Sequence, residues 1–503
     1  MILSALSIQR IGGKSLTLRD LGGLPLALLC GGSLAAAFLF HGSVPLPSDV
    51  SYFVAADGRI LDGAVPYVDI METNPPLAFW ITLPPVWLAR ILGLSPHIVF
   101  VGYVCFIIAG VLGLTRHVQQ SPGETYENKS MLFLVSAAVL TIAPAEAFGQ
   151  REHLAALLAL PYVAAAAQLV QGRAPRTSLR ILVGLLCGVG MAFKPHLLAI
   201  PLLVEAFLLW EKRDWRTLVR VEVLGIAALL AVYPILVWQF TPQYFTEILP
   251  LTLLTYGAYQ IPFLETLLHP AVASFGLFMG IAAYMIWHLG LQHRGEWVWL
   301  FAGAGGLICF LAQEKGWTYQ LLPAMIFVLI PFLMNAARFA GLYFRIAAFG
   351  SFGFAMIMGL ANFVIAQNVR LATVDDLFAG RKPQRMMALT HDLGIVFPYV
   401  ETNDIVWASR FQSLWMLPAV SKELIPVEQR DAVTARVTEI VTQDLISLKP
   451  DYVIVDRRSN TPTLRGHEVK YIAWFSRSPA FVQAWSSYKL VNSNGMFEVW
   501  ELL

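Results

Sequence analysis

The sequence predicts a polytopic α-helical membrane protein of about eleven transmembrane helices, followed by a small C-terminal α/β domain. Three observations carry this. Apolar residues make up 57% of the 503 and charged residues 14%, at a mean hydropathy of +0.62; no water-soluble core buries that much apolar surface. The apolar residues gather in runs of spanning or near-spanning length up to residue 366. Beyond 366 the composition becomes that of a soluble domain. The net charge of +2, with no basic stripe interleaved with aromatics, argues against nucleic acid as a partner.

The runs fall at about 21–40, 97–115, 131–148, 154–170, 181–193, 196–210, 219–238, 270–289, 297–312, 320–337 and 346–366. A bilayer core of ~30 Å needs roughly 20 helical residues. The short pair 181–193 and 196–210 therefore reads as a hairpin with Lys194-Pro195-His196 at its tip. The stretch 77–94, interrupted by Pro84-Pro85 and carrying Arg90, reads as a surface amphipathic segment. Arg10, Lys14 and Arg19 before the first run read as the flank of an uncleaved signal anchor. Lys and Arg then set the sidedness. One set of loops holds those three residues with Arg116, Lys129, Arg173, Arg176, Arg180, Lys212, Arg213, Arg216, Arg220, Arg294, Arg338 and Arg345. The other holds only Arg59, Arg151, Lys194 and Lys315, with Arg90 on the surface segment. The first set is expected in the cytoplasm of a bacterial cell, with the N-terminus inside and the C-terminal domain (367–503) periplasmic. Transmembrane catalytic residues are accordingly expected within 1–366.

In the C-terminal part, Glu428–Leu448 reads as an amphipathic helix. Asp451–Asp456 reads as a buried strand and Tyr488–Trp500 as a hairpin turning at Asn492–Gly495. Asp451 and Asp456 are expected as strand-end residues, and this domain is expected to cover the site opening or to help select the acceptor, so that deletion of 367–503 alters acceptor choice. The four cysteines all lie in apolar runs, with no CxxC or Cys/His cluster, and read as packing residues.

The chemistry is expected in the outer loops. The first, from Ser48 to Pro76, packs Asp49, Asp57, Asp62, Asp69 and Glu72 into a short stretch. Residues 49–62 suit a helix with Ser48 or Asp49 as N-cap and a stop at Gly63, with Asp57 and Asp62 on its wet face. Asp49 or Asp69 can accept a proton from an incoming hydroxyl; the plain alternative is that Asp49 only caps the helix. Gly149-Gln150-Arg151-Glu152-His153 forms a very short loop with adjacent ionisable residues, which are costly at a membrane unless paired or lining a cavity; an Arg151–Glu152 ion pair is the plain alternative. Lys194 could merely snorkel, and Trp317 and Tyr319, beside Lys315, could belong to an aromatic belt. Together, carboxylates and cations on one face point to a site that handles a phosphate-bearing lipid.

Asp49-x-x-Tyr52, then Leu61-x-Gly63-x-x-Pro66-Tyr67-x-Asp69, then Asn74-Pro75-Pro76-Leu77, resembles the first outer loop of the C-type (GT-C) glycosyltransferases, in the branch of the protein O-mannosyltransferases and lipid A aminoarabinose transferases. Gly149–His153, Lys194-Pro195 and Lys315-Gly316-Trp317-x-Tyr319 fall where bacterial members place their later motifs. The resemblance covers most of 21–366. It implies a sugar donor linked to polyprenyl phosphate, held with its tail in apolar grooves, and an acceptor that is a lipid, a cell-envelope glycan or a protein. It makes Asp49 the general base of an inverting transfer, and Arg151, Lys194 and Lys315 the donor-phosphate ligands. Tyr52, Tyr67, His153, His196, Trp317 and Tyr319 become supporting residues. Where the family commonly has Asp-Glu, this chain has Asp49-Val50, which leaves a second carboxylate to Asp69, Glu72 or Glu152. No obligatory metal or other cofactor is expected. Two other readings fit membrane helices with polar loops: a non-catalytic glycolipid flippase, and a polysaccharide polymerase or ligase using pyrophosphate-linked lipid. Spans nearly free of charge argue against the flippase, and an Asp directly after the first span favours the monosaccharide transferase over the polymerase.

Overall fold

Each apolar run folds as a helix because its backbone polar groups must be satisfied within the segment once water is excluded. The computed structural model describes residues 23–120, 126–338 and 341–503; Arg10, Lys14 and Arg19 lie outside them. Its helices are α1 (Gly23–Ser43), α2 (Ser48–Leu61), α3 (Leu77–Leu92), α4 (Pro96–Val118), α5 (Tyr126–Ile142), α6 (Arg151–Val170), α7 (Thr177–Ala192), α8 (Ala199–Lys212), α9 (Val221–Phe240), α10 (Leu249–Thr255), α11 (Phe263–Leu267), α12 (Pro270–Leu289), α13 (Trp297–Gln313), α14 (Leu322–Arg338) and α15 (Leu342–Phe378). Counting the 3₁₀ turns that lead into α13 and α14, eight of them are long and apolar enough to cross a membrane: α1, α4, α6, α9, α12, α13, α14 and α15. The remaining expected spans, α5, α7 and α8, are helices of 17, 16 and 14 residues. The chain is a multi-pass membrane protein.

The described residues form two compact units, each assembled from separate stretches. The first takes residues up to Ser43, Val101–Pro234 and Ile261–Phe363; the second takes Val44–Phe100, Ile235–Gln260 and Val364–Leu503.

In the first unit, α6 and α14 are buried along almost their whole length. Small residues let the helices meet, as they do where packing rather than hydrophobicity drives association. A Cβ on Gly305 of α13 would lie 2.5 Å from the carbonyl oxygen of Ala199, and one on Gly306 would lie 2.6 Å from the nitrogen of Ala324. One face of α13 therefore touches the start of α8 and its neighbouring residue the start of α14. Buried carboxylates of this unit pair with arginines, which offsets the cost of burying charge. Arg180 grips both oxygens of Glu222 at 2.6 and 3.0 Å. Arg220 reaches Glu205, which also accepts from the Tyr162 hydroxyl at 2.6 Å.

In the second unit α2 packs on α3, and a five-stranded sheet holds the C-terminal part. Its strands are β1 (Arg385–Leu389), β2 (Val406–Trp407), β3 (Tyr452–Asp456), β4 (Tyr488–Ser493) and β5 (Phe497–Leu502), in the order β2-β1-β3-β5-β4. β1 runs parallel to β2 and β3, with Met387 opposite Val453; β5 runs antiparallel to β3, with Trp500 opposite Val453. The central strand β3 is buried at every position, which is why its sequence reads as an unbroken apolar run. The helix Val427–Ser447 buries Val433, Val437, Ile440, Val441 and Leu445 on one stripe. Asp451 accepts from the backbone N–H groups of Gln384 and Arg385, both at 2.8 Å. Asp456 accepts from Thr390 and Arg458, each at 2.8 Å. Both aspartates are strand-end residues.

Three local expectations are corrected. The N-cap of α2 is Pro47, not Ser48 or Asp49; proline supplies the required backbone angle and Asp49 falls in the first helical turn. Asp57 is not on a wet face: it is 0% exposed, because it lies on the stripe of Val50, Phe53 and Val54. Arg151, Glu152 and His153 are not a loop but the first turn of α6. Gly149, at φ +76°, ends the preceding turn, and Gln150 opens the helix.

Candidate functional site

The residues singled out by sequence divide between the two units. Asp49, Tyr52, Tyr67 and Asp69 belong to the second; Arg151, Glu152, His153, Lys194, His196, Lys315, Trp317 and Tyr319 belong to the first.

In the second unit the acidic stretch is a folded loop, fastened from below. Arg59, at the end of α2, donates to the carbonyl oxygens of Ser409 at 2.6 Å and Asp69 at 3.0 Å. The N–H of Met71 donates to Arg410 O at 2.7 Å. Arg410 is held in turn by Asp444 at 2.7 Å. Within the loop, the Asp69 carboxylate accepts from the N–H of Val65 at 2.8 Å, so it closes its own turn. Tyr67, at φ +66°, donates its hydroxyl to Asn74 O at 2.8 Å. Glu72 is 0% exposed and accepts from the N–H of Asn74 at 2.8 Å, from the Asn74 side-chain amide and from Thr73. Tyr52 is buried edge-on against Phe53 and Phe397, and burial, then the nearby Glu72, pushes its hydroxyl well above the usual tyrosine range. Asp49 is half-buried in the first turn of α2, where the helix dipole favours a negative charge. Of the loop carboxylates, then, Asp69 and Glu72 hold backbone, Asp57 is buried inside, Asp62 is exposed and pairs with Arg90 at 2.9 Å, and Asp49 is half-buried at a helix start.

In the first unit a different polar group forms. Glu152, with a side chain 1% exposed, meets Lys194 Nζ at 2.5 Å. Lys194 lies at the turn between α7 and α8 and sits 6.0 Å from the ring centroid of Tyr319. Lys315 stands 5.0 Å from the Trp317 ring, and the Trp317 and Tyr319 rings stack at 6.0 Å. Arg151 is nearly buried beside Glu152. His153 is structural: its Nε2–H donates to Leu140 O and its Nδ1 accepts from the N–H of Gly149, both at 3.1 Å. The carbonyl of His196 accepts from the Cys309 thiol at 2.9 Å. Glu152 pairs with Lys194, a residue 42 positions away.

Three residues that sequence reasoning did not single out join this group. Gln150 donates to Glu146 O at 3.2 Å, and Thr318 donates to the Glu146 carboxylate at 3.1 Å. Gln320 is 1% exposed in the turn before α14. Only their positions beside the charged motifs could have marked them. The arrangement can hold an anion next to buried acceptors: cations supply charge-assisted hydrogen bonds, and Glu152 keeps Lys194 oriented. Among the described residues no group of three or more His, Cys, Asp or Glu side chains is placed to hold a metal ion.

No family model matches the sequence, and no curated protein matches it. Solved structures match by fold. The crystal structure of ArnT from Cupriavidus metallidurans bound to undecaprenyl phosphate superposes with a TM-score of 0.55 at 13% identity, covering 94% of this chain and 97% of that one. The apo structure of the same ArnT gives 0.51 at 12% identity over the same shares. At this identity the likeness is one of fold. The GT-C-like architecture implied by the first-loop motifs is the architecture the chain has.

Proposed function

We propose that this chain, which has the fold of ArnT, is a glycosyltransferase that moves a sugar from a polyprenyl-phosphate donor to an acceptor hydroxyl at the outer face of the bacterial inner membrane. The observation that carries the reading is the Lys194–Glu152 group with Arg151 and Lys315, in a fold whose solved counterpart holds undecaprenyl phosphate. Arg151, Lys194 and Lys315 bind the donor phosphate and stabilise it as it leaves. Asp49 takes the proton of the acceptor hydroxyl while that oxygen attacks the anomeric carbon. The bond from that carbon to the phosphate oxygen breaks, the configuration inverts, and polyprenyl phosphate departs with the bonding pair. The half-buried position of Asp49 in the first turn of α2 supports it as the base. Glu152 positions Lys194. The acceptor is a glycolipid, a cell-envelope glycan or a protein.

The test separates the two halves of the assignment. Purified Asp49→Asn is expected to lose transfer by about 10²–10⁴-fold while still binding undecaprenyl phosphate. Lys194→Ala is expected to weaken undecaprenyl phosphate binding by roughly ten- to a hundredfold, the loss of one charge-assisted hydrogen bond. Full transfer by the Asp49 variant removes Asp49 from the mechanism; unchanged lipid binding by the Lys194 variant removes the phosphate assignment.

A further inference from the structure

The end of the first unit that holds Lys194 contains two kinds of polar atom. Lys194, Lys315 and the Glu152 oxygen facing Lys194 are engaged. Beside them is a set of buried atoms with no hydrogen-bond partner among the described residues: Oε1 of Gln150, Oε2 of Glu152, Nε2 of His196 and both amide atoms of Gln320. Gln150 is 8% exposed, Glu152 1% and Gln320 1%. They belong to one connected group. Gln150 and Thr318 both donate to Glu146, Tyr319 lies against Lys194, Lys194 against Glu152, and Gln320 follows Tyr319 in the same turn, its N–H donating to Trp317 O at 2.9 Å. The Gln150 amide orientation is fixed by the Glu146 carbonyl, which must receive an N–H, so the unused atom is the oxygen.

A buried polar atom without a partner is destabilising, and folded proteins keep few of them. Several at one place call for partners from outside the chain, water or ligand, and their chemistry describes what they can bind. The oxygens of Gln150, Glu152 and Gln320 can only accept. A phosphate offers acceptors, which the cations satisfy, and a polyprenyl tail offers nothing. The unused acceptors need O–H or N–H groups. We infer that Gln320 and Gln150 are specificity residues which hydrogen-bond hydroxyl or amino groups on the sugar of the donor. This rests on the proposed use of the same group for the donor phosphate.

The experiment measures binding to full-length purified protein of undecaprenyl phosphate and of undecaprenyl-phosphate-linked mannose, glucose and 4-amino-4-deoxyarabinose. The wild type is expected to bind at least one sugar-bearing lipid more tightly than undecaprenyl phosphate. Gln320→Leu and Gln150→Leu are each expected to reduce that preference about tenfold with undecaprenyl phosphate affinity unchanged, whereas Lys194→Ala weakens every lipid. Should Gln320→Leu fail to fold, Gln150→Leu carries the same readout. A wild type that binds undecaprenyl phosphate but shows no preference for any sugar-bearing lipid overturns the inference and leaves the donor reading standing. So does a preference kept by the folded variants. A wild type that does not bind undecaprenyl phosphate overturns both.

Discussion

Asp57 is fully buried on α2. Burial pushes its carboxyl well above its ordinary value of 3.8, against a smaller opposing pull from the Thr82 hydroxyl, since the ionised form would lose hydration that this one group replaces only in part. The native state therefore holds the proton to higher pH than the unfolded chain does. Its contribution to stability is fullest below the unfolded value and falls as pH rises above it. Asp57→Asn removes that penalty. The variant is expected to be more stable than wild type at pH 7.5 by about 1–3 kcal/mol, with the difference closing near pH 4, as read by thermal unfolding in detergent. An equal difference at both pH values would assign the effect to packing instead. The stripe Val50-Phe53-Val54-Asp57 could have revealed this burial, because helical spacing places it on one face; the charge of Asp57 pointed the other way. The Glu152–Lys194 pair shows the complementary case. Both residues stand out in the sequence, yet their partnership spans 42 positions and no local rule encodes it.

At the scale of elements, the pair depends on how α13 is seated. Gly305 and Gly306 let it approach the starts of α8 and α14, the two helices that follow the turn bearing Lys194 and the turn bearing Gln320. Gly306→Leu would drive a side chain into the backbone of Ala324. Overpacking of this kind costs about 1–3 kcal/mol or more, and here it should also displace the turn at 318–321. The variant is expected to lose thermal stability and undecaprenyl phosphate affinity together. Gly359→Ala on α15, where an added Cβ meets nothing within 4 Å, is expected to lose neither. Equal behaviour of the two variants would show that the close approach is not what seats the turn. The elements themselves were legible, since apolar content identifies helices that must satisfy their own backbone. Helix starts were less so: α6 begins at Arg151 because a glycine at positive φ and Gln150 set its entry, details that charge counting passes over.

For the whole molecule, the second unit joins the acidic loop to the C-terminal sheet. Arg59 is held by Ser409, and Met71 by Arg410. The loop near the start of the chain thus takes its shape from residues near the end. Removal of 385–503 is expected to abolish transfer outright, and to leave residues 48–76 sensitive to limited proteolysis, rather than to redirect the choice of acceptor. A truncated protein that still transfers, but to other acceptors, would show the sheet to be a selector alone. Sequence composition separated the sheet-bearing segment from the membrane helices. It could not reveal that an early loop completes the same unit, because such pairing is written in neither composition nor periodicity.

The hydrogen bonds from the Arg59 guanidinium and the Met71 N–H to the carbonyls of Ser409 and Arg410 also fix an order of events during biosynthesis. The acidic loop leaves the ribosome more than 300 residues before its anchor does. At ~5–20 residues per second that interval is on the order of 15–70 s. Throughout it, Asp49 and its neighbours lack the segment that shapes them. On the proposed mechanism, therefore, a nascent chain is silent until residues 409 and 410 have been made and have docked beneath the loop.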